Sequence, residues 1–267
     1  MELLTILLLI LLVFGVAFIY SNLGLGGGLL YVPILMSLAF TGPTGEDIAV
    51  PISLTLAAAT GLSATINHHQ KGFVDFKLAG ILITGALIGA VIGAFFNLST
   101  DKRIFLAFFV TVIVLVGVKM LYDWAKAKES EDDDDDTKMT QTRKIASANG
   151  TLASGFLSGS LGIGGGLVNV PLMGYVLGRK TRKAIGTSSA MIVVTSIFGF
   201  ISYMLLGGSQ AIDFNLIGIL WPFVFVGAFV GSRWGLRKLK SRTVALIFIS
   251  VLFIAAAKMT IDLILGA

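Results

Sequence analysis

The chain has no cysteine and little charge, and both absences narrow what it can be. Without cysteine it forms no disulfides and no thiolate metal sites. Charged residues make up only 13% of the sequence, whereas soluble domains carry roughly 25%. Hydrophobic residues make up 55%, and the mean hydropathy is +0.91. This composition excludes an ordinary soluble domain and predicts an all-α integral membrane protein.

The sequence has instead a series of long apolar runs. Several of them reach the roughly 18 residues needed to cross about 30 Å of hydrocarbon. The net charge of +5 lies largely in the short loops between these runs, as membrane orientation requires, so it does not indicate a nucleic-acid partner. We predict ten helical segments, at residues 3–22, 28–40, 47–66, 76–98, 102–125, 144–160, 166–178, 183–206, 213–232 and 241–265.

One ten-residue motif occurs twice within these runs. Residues 24–33 read GLGGGLLYVP and residues 162–171 read GIGGGLVNVP, with seven identical positions. Glycine clusters are costly inside membrane helices, because they break the helix and free backbone polar groups in the hydrocarbon. We therefore interpret both copies as helix breaks with a purpose.

The match between the two halves extends beyond this motif. At an offset of 138, Asp75 and Gly80 align with Asp213 and Gly218. At an offset of 135, three small residues match in the same order: Ala49, Ser53 and Thr60 with Ala184, Ser188 and Thr195. The preserved order indicates an internal duplication.

We accordingly divide the chain into a first membrane repeat (1–125), an acidic linker (126–143) and a second membrane repeat (144–267). The linker contains six consecutive acidic residues, Glu131 to Asp136. Because like charges repel one another, we predict that this run is a solvated cytoplasmic linker rather than a metal site.

Loop charges indicate that the repeats are inverted. Loop 178–183 carries four positive charges, whereas its counterpart 41–47 is acidic; loop 68–77 carries two lysines, whereas its counterpart 207–213 has none. Opposite charge at equivalent loops predicts opposite orientation. We place the basic loops in the cytoplasm of a bacterial inner membrane and both termini on the extracellular or periplasmic side. Each repeat is then a broken-helix hairpin plus three transmembrane helices, giving eight full spans or about ten segments.

A helix that begins just after each glycine cluster exposes unpaired backbone N–H groups and the positive end of its dipole. This combination binds anions without a charged side chain, and in an inverted-repeat protein we expect two such ends to converge from opposite sides near the pseudo-twofold axis. The alternative is that the glycines only let helices pack closely. The predicted backbone site consists of Gly24, Gly26, Gly27, Gly28, Gly162, Gly164, Gly165 and Gly166.

Hydroxyl and amide side chains near the breaks can complete such a site, because they replace part of an oxyanion's hydration shell without adding charge. The same hydroxyls can instead bond carbonyls of their own helix. The candidates are Asn22, Ser53, Ser160, Asn169, Thr187, Ser188 and Ser189.

The few ionisable residues near helix ends have simpler interpretations. Asp75 and Asp213 stand where aspartate is a natural helix N-cap, and we interpret His68 and His69 as an exposed loop pair. The sequence has no nucleophile triad, no His/Glu metal spacing and no phosphate loop followed by lysine. We therefore expect no enzymatic activity, no cofactor and no metal.

The paired GxGGGxxxxP motif, together with AIGTSSA at 184–190, resembles the TauE/SafE sulfite exporter family over nearly the whole chain. The resemblance implies a plasma-membrane transporter of sulfite, sulfoacetate or related organosulfonates, usually acting outward. It places the family's glycine motifs at 24–28 and 162–166 and its Thr-Ser element at Thr187 and Ser188. The matching stretch of the first half reads AVPISLT, which keeps Ser53 but lacks the Gly-Thr pair, so we expect an asymmetric site.

The leading hypothesis is a secondary transporter of small sulfur-containing anions that works by alternating access. An anion channel with the same backbone site and a membrane scaffold without transport are the alternatives. The expected partners are the small anion and the lipid bilayer, without nucleic acid. A coupling proton and a homodimer are both compatible with the sequence, which identifies neither.

Overall fold

The structure is a computed structural model that describes residues 3–40, 45–126, 141–207, 212–238 and 241–265. Within these ranges the chain forms helices and no β-strand. The helices are α1 (Leu3–Tyr20), α2 (Gly28–Leu38), α3 (Gly45–Gln70), α4 (Phe76–Leu98), α5 (Lys102–Lys126), α6 (Gln141–Leu161), α7 (Gly166–Pro171), α8 (Thr181–Leu205), α9 (Phe214–Lys238) and α10 (Ser241–Leu265), and a π-helical turn (Leu172–Val176) continues α7.

The length and surface of these helices are those of an integral membrane protein. Among the described residues, six helices are long and apolar enough to cross a membrane, namely α1, α3, α4, α5, α8 and α9. Large apolar side chains face outward on several of them, including Leu4, Ile88 and Leu115. An apolar surface of this extent is stable against lipid but not against water. The predicted all-α membrane class is confirmed.

Each of the ten predicted segments corresponds to one observed helical segment, but α3 is longer than predicted. It continues to Gln70, where the chain turns through Gly72 with a φ of 73°. The N–H of Phe73 closes this helix end on the carbonyl of His68 at 2.9 Å. The interpretation of an exposed histidine pair is therefore wrong for His68, which is helical and only 5% exposed, although His69 is exposed.

The second short segment also differs from the prediction, because α7 ends at Pro171 rather than continuing as an α-helix. Proline has no N–H to donate to the preceding turn, and the chain continues as a π-helical turn in which Leu177 N–H bonds the carbonyl of Leu172 at 3.2 Å. The equivalent Pro33 is accommodated within α2. Each short segment thus covers about half the hydrocarbon thickness, at roughly 1.5 Å per residue.

The two predicted aspartate caps are confirmed. Asp75 Oδ1 accepts the N–H of Leu78 at 2.9 Å, and Asp213 Oδ1 accepts the N–H of Leu216 at 3.0 Å. Each carboxylate satisfies an N–H group that the first helical turn leaves without a partner. The equivalent helices α4 and α9 therefore begin in the same way.

Helices of the two halves interleave, and each contact has a counterpart at equivalent positions. Helix α6 is the equivalent of α1, α8 of α3, α9 of α4 and α10 of α5. The contact of α1 with α9 matches that of α6 with α4, and the contact of α3 with α9 matches that of α8 with α4. Two equivalent pairs also meet directly, α3 with α8 and α5 with α10. The arrangement is that of two repeats related by a pseudo-twofold axis. The repeat boundaries at 125 and 144 stay a prediction, and residues 127–140 of the acidic linker lie outside the described residues.

Equivalent glycines make this interleaving possible. A Cβ atom at Gly89 of α4 would overlap the carbonyl of Leu152, and one at Gly227 of α9 would lie 2.8 Å from the carbonyl oxygen of Phe14. Membrane helices associate mainly by such close packing, since lipid removes the hydrophobic driving force between them. The small residues are therefore required by the packing of the repeats.

We expect Gly89→Ala and Gly227→Ala to destabilise the protein, because overpacking a close helix contact costs about 1–3 kcal/mol. Gly80 and Gly218 are matched controls: they lie on the same two helices at equivalent positions, and a Cβ atom at either would meet nothing within 4 Å. Alanine there should be neutral or stabilising by up to about 1 kcal/mol. Thermal unfolding in detergent measures the difference, and equal effects at both pairs would contradict the packing account.

Candidate functional site

Both glycine motifs form helix breaks with the same backbone geometry. The first break is residues 21–27, between α1 and α2, and the second break is residues 162–165, between α6 and α7. Three equivalent glycines in each have positive φ, where an L side chain is strained. The φ values are 65°, 80° and 89° at Gly24, Gly26 and Gly27, and 70°, 84° and 80° at Gly162, Gly164 and Gly165.

The short helix after each break begins without a side-chain cap. Gly27 is the N-cap of α2 and Gly165 is the N-cap of α7, and neither provides a hydrogen-bonding side chain. The first N–H groups of a helix have no partner within it. Each break therefore places uncapped backbone donors inside a membrane-spanning bundle.

The two breaks lie directly against each other. A Cβ atom at Gly28 would overlap the carbonyl of Gly162, and one at Gly166 would overlap the carbonyl of Gly24. Because the backbones themselves touch, only glycine fits at either position. The breaks predicted from the duplicated motif thus meet at one place in the molecule.

Two equivalent serines join each break to the other repeat. Ser53 of α3 donates its hydroxyl to the carbonyl of Gly162 at 2.8 Å, and Ser188 of α8 donates to the carbonyl of Gly24 at 2.8 Å. Both serines are fully buried. In this conformation these hydroxyl protons bind backbone carbonyls, so the two side chains stabilise the contact between the breaks.

Three other predicted side chains form hydrogen bonds away from the breaks. Ser160 and Ser189 donate to the carbonyls of Phe156 and Ile185, one turn earlier in their own helices. Thr187 accepts the backbone N–H of Asp75 at 3.0 Å and so fastens the loop before α4 to α8. The structure therefore does not bring Ser160, Thr187 or Ser189 together at one site.

The second break is surrounded by buried polar atoms without a partner among the described residues. Ser158 Oγ, Asn169 Nδ2 and Ser196 Oγ are all 0% exposed and make no hydrogen bond there. Asn169 Oδ1, by contrast, lies 2.7 Å from the hydroxyl of Ser154, and that hydroxyl lies equally close to the carbonyl of Gly165, which holds the asparagine side chain against the break. A buried polar group without a partner costs roughly 1–3 kcal/mol, so three at one break require an explanation.

These atoms lie close to the glycines of the break. A Cβ atom at Gly164 would be 3.2 Å from Ser196 Oγ, and one at Gly165 would be 3.6 Å from Asn169 Nδ2. The amide offers two N–H donors and each hydroxyl offers one. The three side chains therefore offer four neutral donors without a partner among the described residues; the amide of Asn169 and the hydroxyl of Ser196 lie beside Gly164 and Gly165, and Ser158 lies one helical turn before Gly162.

The first break lacks this polar set, because larger or smaller residues occupy the equivalent positions. Tyr20 stands at the position of Ser158, Tyr31 at that of Asn169 and Gly61 at that of Ser196. Both tyrosines are fully buried, and Tyr31 Oη pairs with Thr60 Oγ1 at 2.8 Å. The remaining polar candidate there, Asn22, donates Nδ2 to the carbonyl of Phe18 and leaves Oδ1 without a partner among the described residues.

One apolar side chain lies between the two breaks. Methyl carbons of Ile192 on α8 come within 3.1 Å of where a Cβ atom of Gly26 or of Gly164 would lie. Ile192 is only 1% exposed, and its repeat equivalent is the small Ala57. A side chain of the second repeat therefore packs against glycines of both breaks.

The sequence analysis missed Ser154, which orients Asn169, and Ser196. Ser196 could have been found by helical periodicity, since it follows Ser189 by seven residues and so falls on the same side of α8 two turns later. Thr195 was aligned with Thr60, but its bond to the carbonyl of Gly164 at 3.1 Å was not anticipated. Ser154 has no such signal, because its partner lies across the break.

Several known proteins are similar to this chain over most of its length. The sulfite exporter TauE/SafE family matches residues 9–259. "Probable membrane transporter protein YunE" of Bacillus subtilis is 28% identical over 258 residues, covering 90% of this chain and 91% of the relative. A "probable membrane transporter protein" of Xylella fastidiosa is 28% identical over 82% of this chain and 79% of its own length.

A third relative comes from another organism. "Probable membrane transporter protein MJ0441" of Methanocaldococcus jannaschii is 26% identical over 83% of this chain and 80% of its own length. No solved structure matches the chain. Because the family match extends over nearly all of the two repeats and both breaks, the chain belongs to the sulfite exporter TauE/SafE family.

Proposed function

We propose that this protein is a secondary transporter of a small sulfur-containing oxyanion, such as sulfite or an organosulfonate, and that the second break binds the anion. The observation that carries the proposal is the set of buried, unpartnered polar atoms of Ser158, Asn169 and Ser196 beside Gly164 and Gly165. An oxyanion has several acceptor oxygens and would satisfy these donors together. Hydrogen bonds to a charged group contribute about 1.5–3 kcal/mol each.

Neutral donors suit transport through a membrane. A lysine or arginine at the centre of the bilayer is costly and holds an anion as an ion pair. Amide, hydroxyl and backbone N–H groups replace the hydration shell without adding net charge, and the uncapped start of α7 supplies further backbone donors. An anion held in this way can be released again when the surrounding contacts change.

The contact between the breaks supports alternating access between the repeats. Ser53 and Ser188 join each repeat to the other through one hydrogen bond apiece, and Ile192 fills the space between the breaks. In this proposal the anion reaches the second break when the repeats shift and Ile192 moves aside. The two hydrogen bonds between the breaks are of ordinary strength and rearrange at modest cost. The long helices that interleave the repeats have to adjust in the same transition.

We place the basic loops in the cytoplasm and propose net export, with both termini outside. The support is the charge of loops 178–183 and 68–77 relative to their counterparts. Acting as a transporter without catalysis, the protein would need no cofactor. A coupling proton and a homodimer stay proposals.

Removing the unpartnered donors should lower transport strongly, and in Ser196→Ala it should do so without loss of stability. Asn169→Leu and Ser196→Ala should each lower transport efficiency roughly tenfold or more, because each removes a hydrogen bond to a charged ligand. The thermal stability of Ser196→Ala should stay the same or rise, since its hydroxyl makes no described bond. Asn169→Leu also removes the contact of Oδ1 with Ser154, so we expect a loss of stability in that variant and compare its flux per folded protein. Flux into proteoliposomes and thermal unfolding measure the two effects.

Ser202→Ala is the matched control. Ser202 also lies on α8 and is buried, but its hydroxyl bonds the carbonyl of Phe198 at 2.8 Å. Its replacement should leave flux within about twofold of the unmodified protein. This change is much smaller than the tenfold loss, equivalent to about 1.4 kcal/mol, that we expect at the site. Normal flux in both Asn169→Leu and Ser196→Ala would refute the proposed site.

Flux measurements with radiolabelled sulfite and sulfoacetate separate a transporter from the alternatives. A transporter should saturate and should be stimulated by unlabelled substrate on the opposite side, because the loaded site returns faster than the empty one. Linear, voltage-following flux without such stimulation would show a channel. The absence of flux for both anions would favour a scaffold.

Membrane vesicles of known orientation test the topology, because the chain has no native cysteine and a single introduced one can be labelled. Lys77 is exposed in the predicted cytoplasmic loop. A membrane-impermeant thiol reagent should label Lys77→Cys in inside-out vesicles and leave it unlabelled in right-side-out vesicles. The reverse pattern would overturn the proposed topology.

A further inference from the structure

A cavity of about 340 Å³, named here the basic cavity, opens at the end of the bundle that carries loops 68–77 and 178–183. Three cationic residues from separate parts of the chain line it: Lys71 after α3, Arg182 at the start of α8 and Arg233 on α9. No carboxylate is among its described lining residues, and the nearby Asp75 pairs with Arg179 at 3.4 Å. The cavity therefore concentrates positive charge in a concave surface, which raises the local concentration of anions.

The cationic side chains are held in place by neighbouring groups. The Arg182 guanidinium lies 5.9 Å from the ring centroid of Phe73, and Lys71 Nζ donates to the carbonyl of Ser232 at 2.9 Å. Close packing of Gly186 on the Phe73 carbonyl fixes this wall against α8. Such preorganisation lowers the entropy lost on binding a ligand.

The inner wall of the basic cavity holds two buried polar atoms without a partner among the described residues. These are Asn22 Oδ1 and His68 Nδ1, each in a residue that is only 5% exposed. His68 Nε2 lies 3.2 Å from the carbonyl of Ser21, which orients the ring. Asn22 Oδ1 is an acceptor, and so is His68 Nδ1 when Nε2–H donates to that carbonyl. Water from the hydration shell of a bound ion can donate to both atoms, whereas the anion itself cannot.

The basic cavity lies next to the first break. Asn22 precedes Gly24 by two residues, and Ile185, which also lines the cavity, places its carbonyl oxygen 2.9 Å from where a Cβ atom of Gly24 would lie. The repeat equivalents of its cations are not cationic: Asp47 corresponds to Arg182 and Leu206 to Lys71. Arg182 and Lys71 thus have no cationic counterpart at the equivalent positions of the other repeat.

We propose that the basic cavity is a second anion-binding site, which captures a small dianionic oxyanion from the side of the basic loops before it reaches the breaks. The role of the cavity in transport rests on the proposed function, whereas the binding of an anion in the cavity does not. Three cations balance a dianion better than a monoanion, and guanidinium groups match the geometry of oxyanions. The recognised chemistry is that of a sulfate-like ion.

Binding of radiolabelled sulfate to the full-length protein in detergent tests the proposal. The unmodified protein should bind sulfate saturably, with an affinity that falls as salt rises. Arg182→Gln and Arg233→Gln should each weaken binding about tenfold or more, and Arg182→Lys should recover part of the loss. The matched control is Lys77→Gln, which removes the same charge outside the cavity and should change the dissociation constant less than twofold.

Size-exclusion chromatography and thermal unfolding confirm that the variants fold. Absence of saturable binding by the unmodified protein, unchanged binding by the arginine variants, or an equal loss in Lys77→Gln would overturn the proposal. Asn169→Leu should keep sulfate binding in the basic cavity, since that residue lies at the second break. If the arginine variants lose sulfate binding while the unmodified protein transports no anion, the cavity is an anion site and the proposed function is wrong. If the unmodified protein transports anions while the arginine variants bind sulfate normally, the proposed function holds and the cavity proposal is wrong.

Discussion

The direct contact between the two broken helices is the constraint on which the rest of the structure depends. Gly28 packs on the carbonyl of Gly162, and Gly166 packs on the carbonyl of Gly24, at a separation that admits no side chain. Broken helices in a membrane leave backbone groups that need partners. Ser53 and Ser188 bind one carbonyl of the opposite break each, so neither repeat satisfies its own break alone. The interleaving of the long helices, which also depends on glycines at equivalent positions, follows from the same requirement.

A symmetric framework of this kind supports an asymmetric site. The backbone of the two breaks is nearly identical, but two buried tyrosines border the first break where Ser158 and Asn169 border the second. Aromatic rings fill the space beside the first break, and small polar groups leave donors unused beside the second. The duplicated backbone thus provides the same geometry in both repeats, and under the proposed function a few side-chain differences decide which break binds the anion. The cations of the basic cavity are asymmetric in the same sense, because they line one end of the repeat pair.

Much of the fold could be predicted from local sequence signals, whereas the side-chain partners could not. Apolar runs and paired glycines predict ten segments and two breaks, and aspartates at helix starts predict the caps of α4 and α9. The roles of Ser53 and Ser188 depend on contacts across more than 100 residues of sequence, for which one chain offers no signal. The burial of His68 depends on where α3 ends, which the sequence does not indicate, and the only local signal for Ser196 is its helical spacing of seven residues from Ser189. Orientation in the membrane follows from loop charge alone and stays a proposal.

The central claim is that the second break binds a sulfur oxyanion through neutral donors. A crystal of the protein grown with selenate, an analogue whose selenium atom is located by anomalous scattering, tests it most directly. The account predicts a selenium peak beside Gly164 and Gly165, with oxygens about 2.7–3.2 Å from Asn169 Nδ2 and Ser196 Oγ. Selenate bound at the first break, or only in the basic cavity with the second break empty at saturating concentration, would contradict it.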